Sequence, residues 1–93
     1  MLKVFAVCGM GLGTSNILKS RLKEALNNQG VEHTLEVTDA SAVAGQDADI
    51  IFTSEELGEK IRNKNARIVI INNFTDRKEI NEKVEAAVVE AGG

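Results

Sequence analysis

The fold of this 93-residue chain is decided near its start, by the run LKVFAVCGMGLGTSN at residues 2–16. Its first part, Leu2–Val7, is an apolar segment typical of a buried strand, and the glycines that follow end it. Cys8, the only cysteine of the sequence, lies at this junction, and a helical pattern comes after it. A strand, a glycine run and a helix in this order predict the first unit of an α/β fold.

Three further segments are predicted to be strands. His33–Thr38 alternates as an edge strand does, while Asp49–Thr53 and Arg67–Ile71 are β-branched runs suited to burial on both faces. Helical patterns separate these segments, so we expect a three-layer α/β fold with a four-stranded parallel sheet and helices on both faces. Because so short a chain can bury only one core, residues 1–93 are expected to form a single domain.

Two long amphipathic helices are predicted between and after the strands. The first ends near Gly30, and the last begins with Asp76 and Glu79 at the spacing of a capping box. Their apolar stripes are Leu18, Leu22, Ala25 and Leu26 in the first helix and Ile80, Val84, Ala87, Val88 and Ala91 in the last.

Two shorter helices are predicted elsewhere. One extends from Ser54 or Glu55 to Arg62 and buries Leu57 and Ile61. The other is a turn or two of helix within 39–47.

Polar residues follow the carboxyl ends of all four predicted strands, where parallel sheets bind their ligands. Cys8 follows the first strand, and Asp39, Thr53–Ser54 and 72–75 follow the other three. We therefore expect these residues to share one rim of the sheet. His33 begins a strand, so it is expected at the opposite edge.

No metal site is predicted. Asp47 and Asp49 precede a strand, whereas Asp39 follows one, so these carboxylates are expected at opposite edges of the sheet and cannot converge. No cofactor is predicted either.

The glycine run after Cys8 has the composition of an anion cradle. Gly9, Gly11 and Gly13 allow backbone conformations in which N–H groups converge near a helix N-terminus. The same groups stabilise a thiolate, so Cys8 could accept a phosphoryl group there; the structural alternative is a small buried hydrophobe at a strand end. The run is neither GxGxxG nor a Walker loop, which would place Lys before Thr14.

Composition narrows the class of partner. The net charge is −3 and the cations are scattered, which argues against a nucleic-acid partner. One cysteine cannot form an internal disulfide, and no segment has the pattern of a signal peptide or a membrane span. A cytoplasmic protein is therefore expected.

A comparison with the low-molecular-weight tyrosine phosphatases distinguishes a cysteine that serves in hydrolysis from one that carries a phosphoryl group. That family has Cys, five residues, Arg and then Ser or Thr, whereas Thr14 occupies the arginine position here and Ser15 matches the hydroxyl that follows. A hydrolase would suffer from the loss of the guanidinium, which stabilises a transferring phosphoryl group. A carrier that must keep phosphate away from water does not need it.

The sequence CGMGLGTS after a first strand resembles enzyme IIB of the sugar phosphotransferase system, more narrowly the ascorbate type, which is related to the galactitol type. The resemblance implies a phosphotransferase of the phosphatase-like IIB fold. It also implies a phosphocysteine at Cys8, formed from a phosphohistidine of enzyme IIA. The phosphoryl group would then pass to a sugar or ascorbate-like substrate held by the membrane enzyme IIC. The implied phosphate-binding residues are Gly9, Met10, Gly11, Leu12, Gly13, Thr14 and Ser15.

Several alternatives stay open at this point. The chain could be a small cysteine phosphatase or arsenate-reductase-like enzyme, or a phosphate- or nucleotide-binding module without catalysis. Met10 and Leu12 could contact partners or fold onto the sheet, and Lys19 and Arg21 could act on the phosphate at long range or be merely solvated. Asp76 could be a general acid or an N-cap. We expect a monomer, and the sequence does not specify the transported compound.

Overall fold

The computed structural model of the protein describes residues 2–7, 12–61, 66–73 and 76–90, and for 12–15 it describes the backbone alone. Strands and helices alternate as predicted. In chain order they are β1 (Leu2–Val7), α1 (Leu12–Asn28), β2 (His33–Thr38), α2 (Ala40–Val43), β3 (Ile50–Thr53), α3 (Glu55–Gly58), β4 (Arg67–Ile70) and α4 (Arg77–Glu90).

The four strands form one sheet in the order β2-β1-β3-β4, and every pairing is parallel. Val7 pairs with Thr38 on one side and with Thr53 on the other, and Thr53 pairs in turn with Ile70. The carboxyl ends of the four strands are therefore level, and helices cover both faces. The predicted three-layer fold is confirmed.

One face of the sheet is covered by α1 and α4, and we call it the long-helix face. The predicted stripe residues of these helices that the structure describes are all buried, and Ala91 lies outside the described residues. They pack on Val4, Ala6, Ile50 and Phe52 of the central strands and on Ile71. Gly30 ends the turn after α1 with a φ of +70°, a conformation that glycine adopts without strain.

Among the described elements, α2 and α3 are the helices on the opposite face, which we call the short-helix face. Its core is smaller and consists of Phe5, Val7, Val43, Ala48, Ile51 and Ile61. Each helix begins at a side-chain cap: Asp39 Oδ1 accepts from Ala42 N at 2.7 Å, and Ser54 Oγ accepts from Leu57 N at 3.4 Å. These caps satisfy N–H groups that a single helical turn leaves without partners.

Three predicted features differ from the structure on this side of the molecule. β4 is an edge strand with an exposed Arg67 and half-buried residues after it, so its expected burial on both faces is wrong. The α3 helix stops at Gly58 and not at Arg62, because the chain turns there and Lys60 N donates to the Leu57 carbonyl. Ile61 is buried as predicted, but Leu57 is only half-buried.

The structure also shortens the predicted loop after β1. The family resemblance implies that the phosphate-binding residues 9–15 form one loop, whereas α1 begins at Leu12 and 12–15 form its first turn. A glycine at position 13 is compatible with this start, because backbone N–H groups in a first turn have no partner inside the helix in any case.

Candidate functional site

The described part of the rim at the carboxyl ends of the strands assembles as the sequence predicts, while Cys8 and 74–75 lie outside the described residues. Asp39 directly follows β2, Ser54 directly follows β3, and Asn72–Asn73 lie just beyond β4. Val7 ends β1 between its neighbours β2 and β3, so the next residue in the chain, Cys8, is attached at the centre of this rim.

The predicted nucleophile and the first part of its cradle, Cys8 and 9–11, lie outside the described residues. So do the side chains of Leu12, Gly13, Thr14 and Ser15, whose backbone forms the first turn of α1. The roles assigned to these residues therefore stay predictions, and so does the orientation of Met10 and Leu12.

The N-terminus of α1 is suited to a negatively charged ligand. This 17-residue helix begins five residues after Val7 in the sequence, and its first turn contains no acidic residue. The first N–H groups of a helix have no internal partner, and the helix dipole places partial positive charge there. A thiolate or a phosphoryl group at the end of β1 would be stabilised by this helix.

Thr53 forms a direct side-chain link to the end of β1. Its Oγ1 donates a 3.0 Å hydrogen bond to the carbonyl oxygen of Val7. Of the residues that the structure describes, Thr53 is the one polar residue that is fully buried, with 0% of its surface exposed. Sequence reasoning placed Thr53 at the rim but gave it no role; the available signal was a hydroxyl residue at the end of an apolar strand.

Glu79 joins the start of α4 to the segment that follows β4. Its carboxylate accepts from Asn72 N at 2.8 Å, from Asn73 N at 3.0 Å and from Lys83 Nζ at 2.7 Å. Lys83 also donates to the Ile70 carbonyl at the end of β4. The hydrogen bond from Lys83, followed by that from Asn72, lowers the pKa of Glu79 to about 2. Glu79 is thus ionised at neutral pH and holds this part of the rim.

The predicted capping box at α4 is only half formed. Asp76 Oδ1 accepts from Lys78 N at 3.0 Å and from Glu79 N at 3.2 Å, so Asp76 caps the helix as predicted. Glu79 does not reach back to Asp76 N, which donates instead to the Asn73 carbonyl at 3.1 Å. The second half of the box is absent because the Glu79 carboxylate is committed to Asn72, Asn73 and Lys83. The contacts of Asp76 favour a capping role over that of a general acid.

Asp39 also has a structural role at the rim. Its Oδ1 accepts from Ala42 N and, at 2.8 Å, from Ser41 Oγ, and these bonds lower the pKa of Asp39. Within the described parts of the chain, no group of three or more His, Cys, Asp or Glu side chains is placed to hold a metal ion.

The residues predicted at the opposite edge are found there. Asp49 Oδ2 accepts from Lys3 N at 2.8 Å, and Asp47 forms a 3.1 Å ion pair with the Lys3 ammonium near the start of β1. His33 begins β2, with Nδ1 3.0 Å from the Val31 carbonyl oxygen. None of these side chains can reach the carboxyl ends of the strands.

A shallow groove lies along the exposed side of α1 in the half of the helix that is closer to Cys8 in the sequence. It has a volume of about 270 Å³ and is lined by Asn16, Ile17, Ser20 and Arg21. Ile17 is 42% exposed, and the Nε of Arg21 is buried without a hydrogen-bond partner. The sequence analysis missed Ile17, which lies off the buried stripe of Leu18 and Leu22; an apolar residue at that position was the signal.

The helices in the described portion of the structure include none that is both long and apolar enough to cross a membrane.

Fold and sequence together define a class of protein: a small α/β domain with a four-stranded parallel sheet and one cysteine between its first strand and first helix. A family profile described as "PTS system, Lactose/Cellobiose specific IIB subunit" matches residues 3–86. The chain is also 31% identical over 84 residues to the "Ascorbate-specific PTS system EIIB component" of Mycoplasma pneumoniae, covering 87% of this chain and 88% of that protein.

The chain therefore belongs to the IIB family of the phosphotransferase system. Members of this family are phosphotransferases that carry phosphoryl groups during sugar uptake, and they interact with IIA and IIC components. The predicted family, fold and enzyme class are confirmed.

Proposed function

We propose that this protein takes a phosphoryl group on Cys8 from a phosphohistidine of enzyme IIA and passes it to a substrate held by enzyme IIC. The observation that carries the proposal is the place of Cys8 in a chain of the IIB family. It follows the last residue of the central strand β1 and precedes the N-terminus of α1. The chain would act as one IIB domain over 1–93, as a cytoplasmic monomer.

The first transfer exchanges one bond for another at phosphorus. The Cys8 thiolate attacks the phosphorus atom of the phosphohistidine, a P–S bond forms, and the P–N bond breaks. The electron pair of the broken bond stays on the imidazole nitrogen of IIA. Such a transfer needs alignment of donor and nucleophile and stabilisation of the charge on the phosphoryl oxygens.

The second transfer regenerates the thiolate. A hydroxyl oxygen of the substrate attacks the phosphorus, a P–O bond forms, and the P–S bond breaks with its electron pair left on sulfur. The hydroxyl proton passes to solvent or to a base of the membrane component. Atoms and charge balance over the two steps, and the IIB protein ends as it began.

The N-terminus of α1 supports the proposed role of the loop. Backbone N–H groups of 9–15 would bind the phosphoryl oxygens, with the Thr14 and Ser15 hydroxyls as further donors. Because the first turn of α1 contains no acidic residue, nothing in that turn repels the phosphoryl group. Thr14 stands where a phosphatase has arginine, which favours retention of the phosphoryl group over hydrolysis.

We propose an ascorbate-like acid as the substrate. The support is the curated relative from Mycoplasma pneumoniae, whose printed name gives ascorbate as its specificity. The family profile carries a different sugar class in its title, so the substrate must be measured directly.

The carrier function is tested by reconstituting the chain of transfers. The protein is mixed with phosphoenolpyruvate, enzyme I, the histidine phosphocarrier and a IIA protein of the ascorbate type, and its intact mass is recorded. We expect one added phosphoryl group on the wild-type protein and none on Cys8→Ser. Absence of the adduct with every IIA protein of the ascorbate, galactitol and lactose types would refute the carrier function. Rapid turnover of p-nitrophenyl phosphate would indicate a phosphatase.

The cradle itself is tested by the acidity of the thiol. If α1 and the loop stabilise the thiolate, the rate of Cys8 alkylation should titrate well below the ordinary thiol pKa of about 8.5. A titration at or above that value would show that the N–H groups are not directed at the sulfur.

A further inference from the structure

We propose that Thr53 is a positioning residue for phosphoryl transfer, because its buried hydroxyl holds the carbonyl of the peptide unit that carries Cys8. The inference rests on the proposed role of Cys8 as the phosphoryl acceptor. It assigns to β3 a specific part in a reaction whose nucleophile is attached to β1.

The contact is direct. Thr53 is the last residue of β3 and pairs in register with Val7, the last residue of β1. Its Oγ1 donates to the Val7 carbonyl oxygen at 3.0 Å, and the residue has no exposed surface. A hydrogen bond at this distance and away from solvent restricts the carbonyl more than an exposed one, since no water competes for it.

The planarity of the peptide bond transmits this restriction to the next residue. The carbonyl carbon and oxygen of Val7 lie in one plane with the nitrogen and the Cα of Cys8. When the carbonyl is held, that plane is held with it, and the rotations left to aim the thiol are those at Cys8 itself. Thr53 would thus reduce the range of positions that the sulfur can reach.

The hydroxyl is not needed to fill the space or to pair the strands. The other residues of β3 are Ile50, Ile51 and Phe52, all apolar and fully buried, so the surroundings of this position in the core are apolar. The methyl group of Thr53 packs toward α3, 3.6 Å from where a β-carbon on Gly58 would stand, and valine would keep that contact. What valine cannot supply is the donor to the Val7 carbonyl.

A small displacement of a nucleophile has a large effect on rate, and a shift of about 1 Å can cost about a hundredfold. The bond from Thr53 is one of several restraints on the position of Cys8, so its loss should slow the transfer by less than a displacement of about 1 Å would. We expect Thr53→Val to lower the rate of single-turnover transfer from phosphorylated IIA about tenfold. The apparent affinity for IIA should change little, because Thr53 is buried and cannot touch a partner.

The experiment compares three variants. Thr53→Val removes the hydroxyl and keeps the shape, while Thr53→Ser keeps the hydroxyl and removes the methyl group. Ile51→Val is the matched control, because it removes one methylene from a fully buried residue of the same strand without touching the hydrogen bond. For each variant, the transfer rate, the dependence of transfer on IIA concentration, the pH profile of Cys8 alkylation and the melting temperature are measured.

If Thr53 positions Cys8, the variants should show a pattern of transfer rates and thiol titrations that a loss of stability alone would not produce. Thr53→Val should transfer slowly, and its thiol should titrate at higher pH than in the wild type, because the sulfur is less well aligned with the N-terminus of α1. Thr53→Ser should retain most of the rate, and Ile51→Val should retain both the rate and the thiol titration even if it melts earlier. If Thr53→Val is too unstable to purify, Thr53→Ala takes its place, with the same expectation.

The inference is overturned if Thr53→Val transfers at the wild-type rate with an unchanged thiol titration. It is equally overturned if Ile51→Val is as slow as Thr53→Val, because the effect would then follow stability. The alkylation profile needs no partner protein, so it separates this inference from the proposed function. A wild-type protein that IIA fails to phosphorylate refutes the carrier function, while the alkylation profile still tests the role of Thr53.

Discussion

The two faces of the sheet differ in how they are covered, and they contribute differently to the protein. The long-helix face has helices of 17 and 14 residues, and the short-helix face has two of four residues each. Among the described residues, the core cluster of the first face has thirteen buried members and that of the second has six. Most of the burial that stabilises the fold therefore lies on one side of the sheet.

On the short-helix face, polar contacts add to the stability that its smaller apolar core provides. A helix of one turn has no stability of its own, so α2 and α3 depend on the caps at Asp39 and Ser54 and on packing against the sheet. Both caps lie at the rim where Cys8 is attached, and Thr53 adds its bond to Val7 at the same level. The long-helix face thus supplies most of the stability, whereas both faces contribute contacts to the rim, since Glu79 of α4 holds the segment after β4.

The greatest loss of stability is expected when a buried valine is truncated to alanine, and this change can be made on both faces of the sheet. Val84 of α4 and Val43 of α2 are both fully buried, so Val84→Ala and Val43→Ala remove identical groups. We expect a loss of about 2.5 kcal/mol for Val84→Ala and about 1 kcal/mol for Val43→Ala, because a four-residue helix can shift to close part of the cavity. Urea unfolding of both variants measures the difference, and equal losses would contradict the division between the faces.

The next effect concerns the link between the long-helix face and the rim. Glu79→Gln weakens the bonds to Lys83, Asn72 and Asn73, and we expect it to cost about 1.5 kcal/mol at pH 7. The pKa of Glu79 is lowered from 4.5 to about 2, so the wild-type advantage is fully present above pH 4.5 and is lost as the pH falls toward 2.

Unfolding measured from pH 7 down to the lowest pH at which the wild type still folds tests this dependence. Glu82→Gln is the control, since it makes the same change at an exposed position of the same helix. A difference between Glu79→Gln and wild type that does not shrink below pH 4.5 would show that the carboxylate charge is not what stabilises the link.

A smaller effect is expected where α3 approaches β4. A β-carbon on Gly58 would collide with Cδ1 of Ile70, so Gly58→Ala should destabilise the protein by about 1 kcal/mol although alanine favours helix. In combination with Ile70→Val, which removes Cδ1, the same substitution should become neutral or stabilising. A double-mutant cycle by thermal unfolding measures this coupling, and purely additive losses would show that the collision is not the cause.

The smallest effect is expected at the cap of α3. The bond from Leu57 N to Ser54 Oγ is long at 3.4 Å, so Ser54→Ala should cost about 0.5 kcal/mol, at the low end for an N-cap. Ser54→Thr keeps a capping hydroxyl and should lie closer to the wild type. A loss several times larger for Ser54→Ala would mean that the short-helix face depends on this cap more than its packing indicates.

Local sequence pattern was sufficient for most of the elements. β1 and β2 have the predicted bounds, β3 and β4 differ by one residue at one end each, and the stripe residues of α1 and α4 are buried wherever they are described. The spacing of apolar residues predicts which side of a helix or strand is buried when that side faces the core. A glycine or a capping side chain predicts where the element ends. The same reasoning placed Cys8 after β1 and Asp39 and Ser54 at the rim.

The long-range contacts of the rim could not be predicted in this way. Glu79 has the spacing of a capping box with Asp76, and the spacing alone cannot reveal that Asn72 and Asn73 compete for its carboxylate. The burial of β4 was likewise misjudged, because an apolar β-branched run has the same pattern in a central strand as in an edge strand partly covered by helices.

Local patterns of residues were enough to predict the strand–helix order, the buried stripes and the place of the single cysteine, since each depends on neighbours within a few residues along the chain. The three-dimensional arrangement of the chain set the strand order β2-β1-β3-β4 and the unequal cover of the two faces. It also decided the bond from Thr53 to Val7, which joins residues 46 apart in sequence. Such contacts depend on which elements become neighbours in space, and no local pattern contains that information.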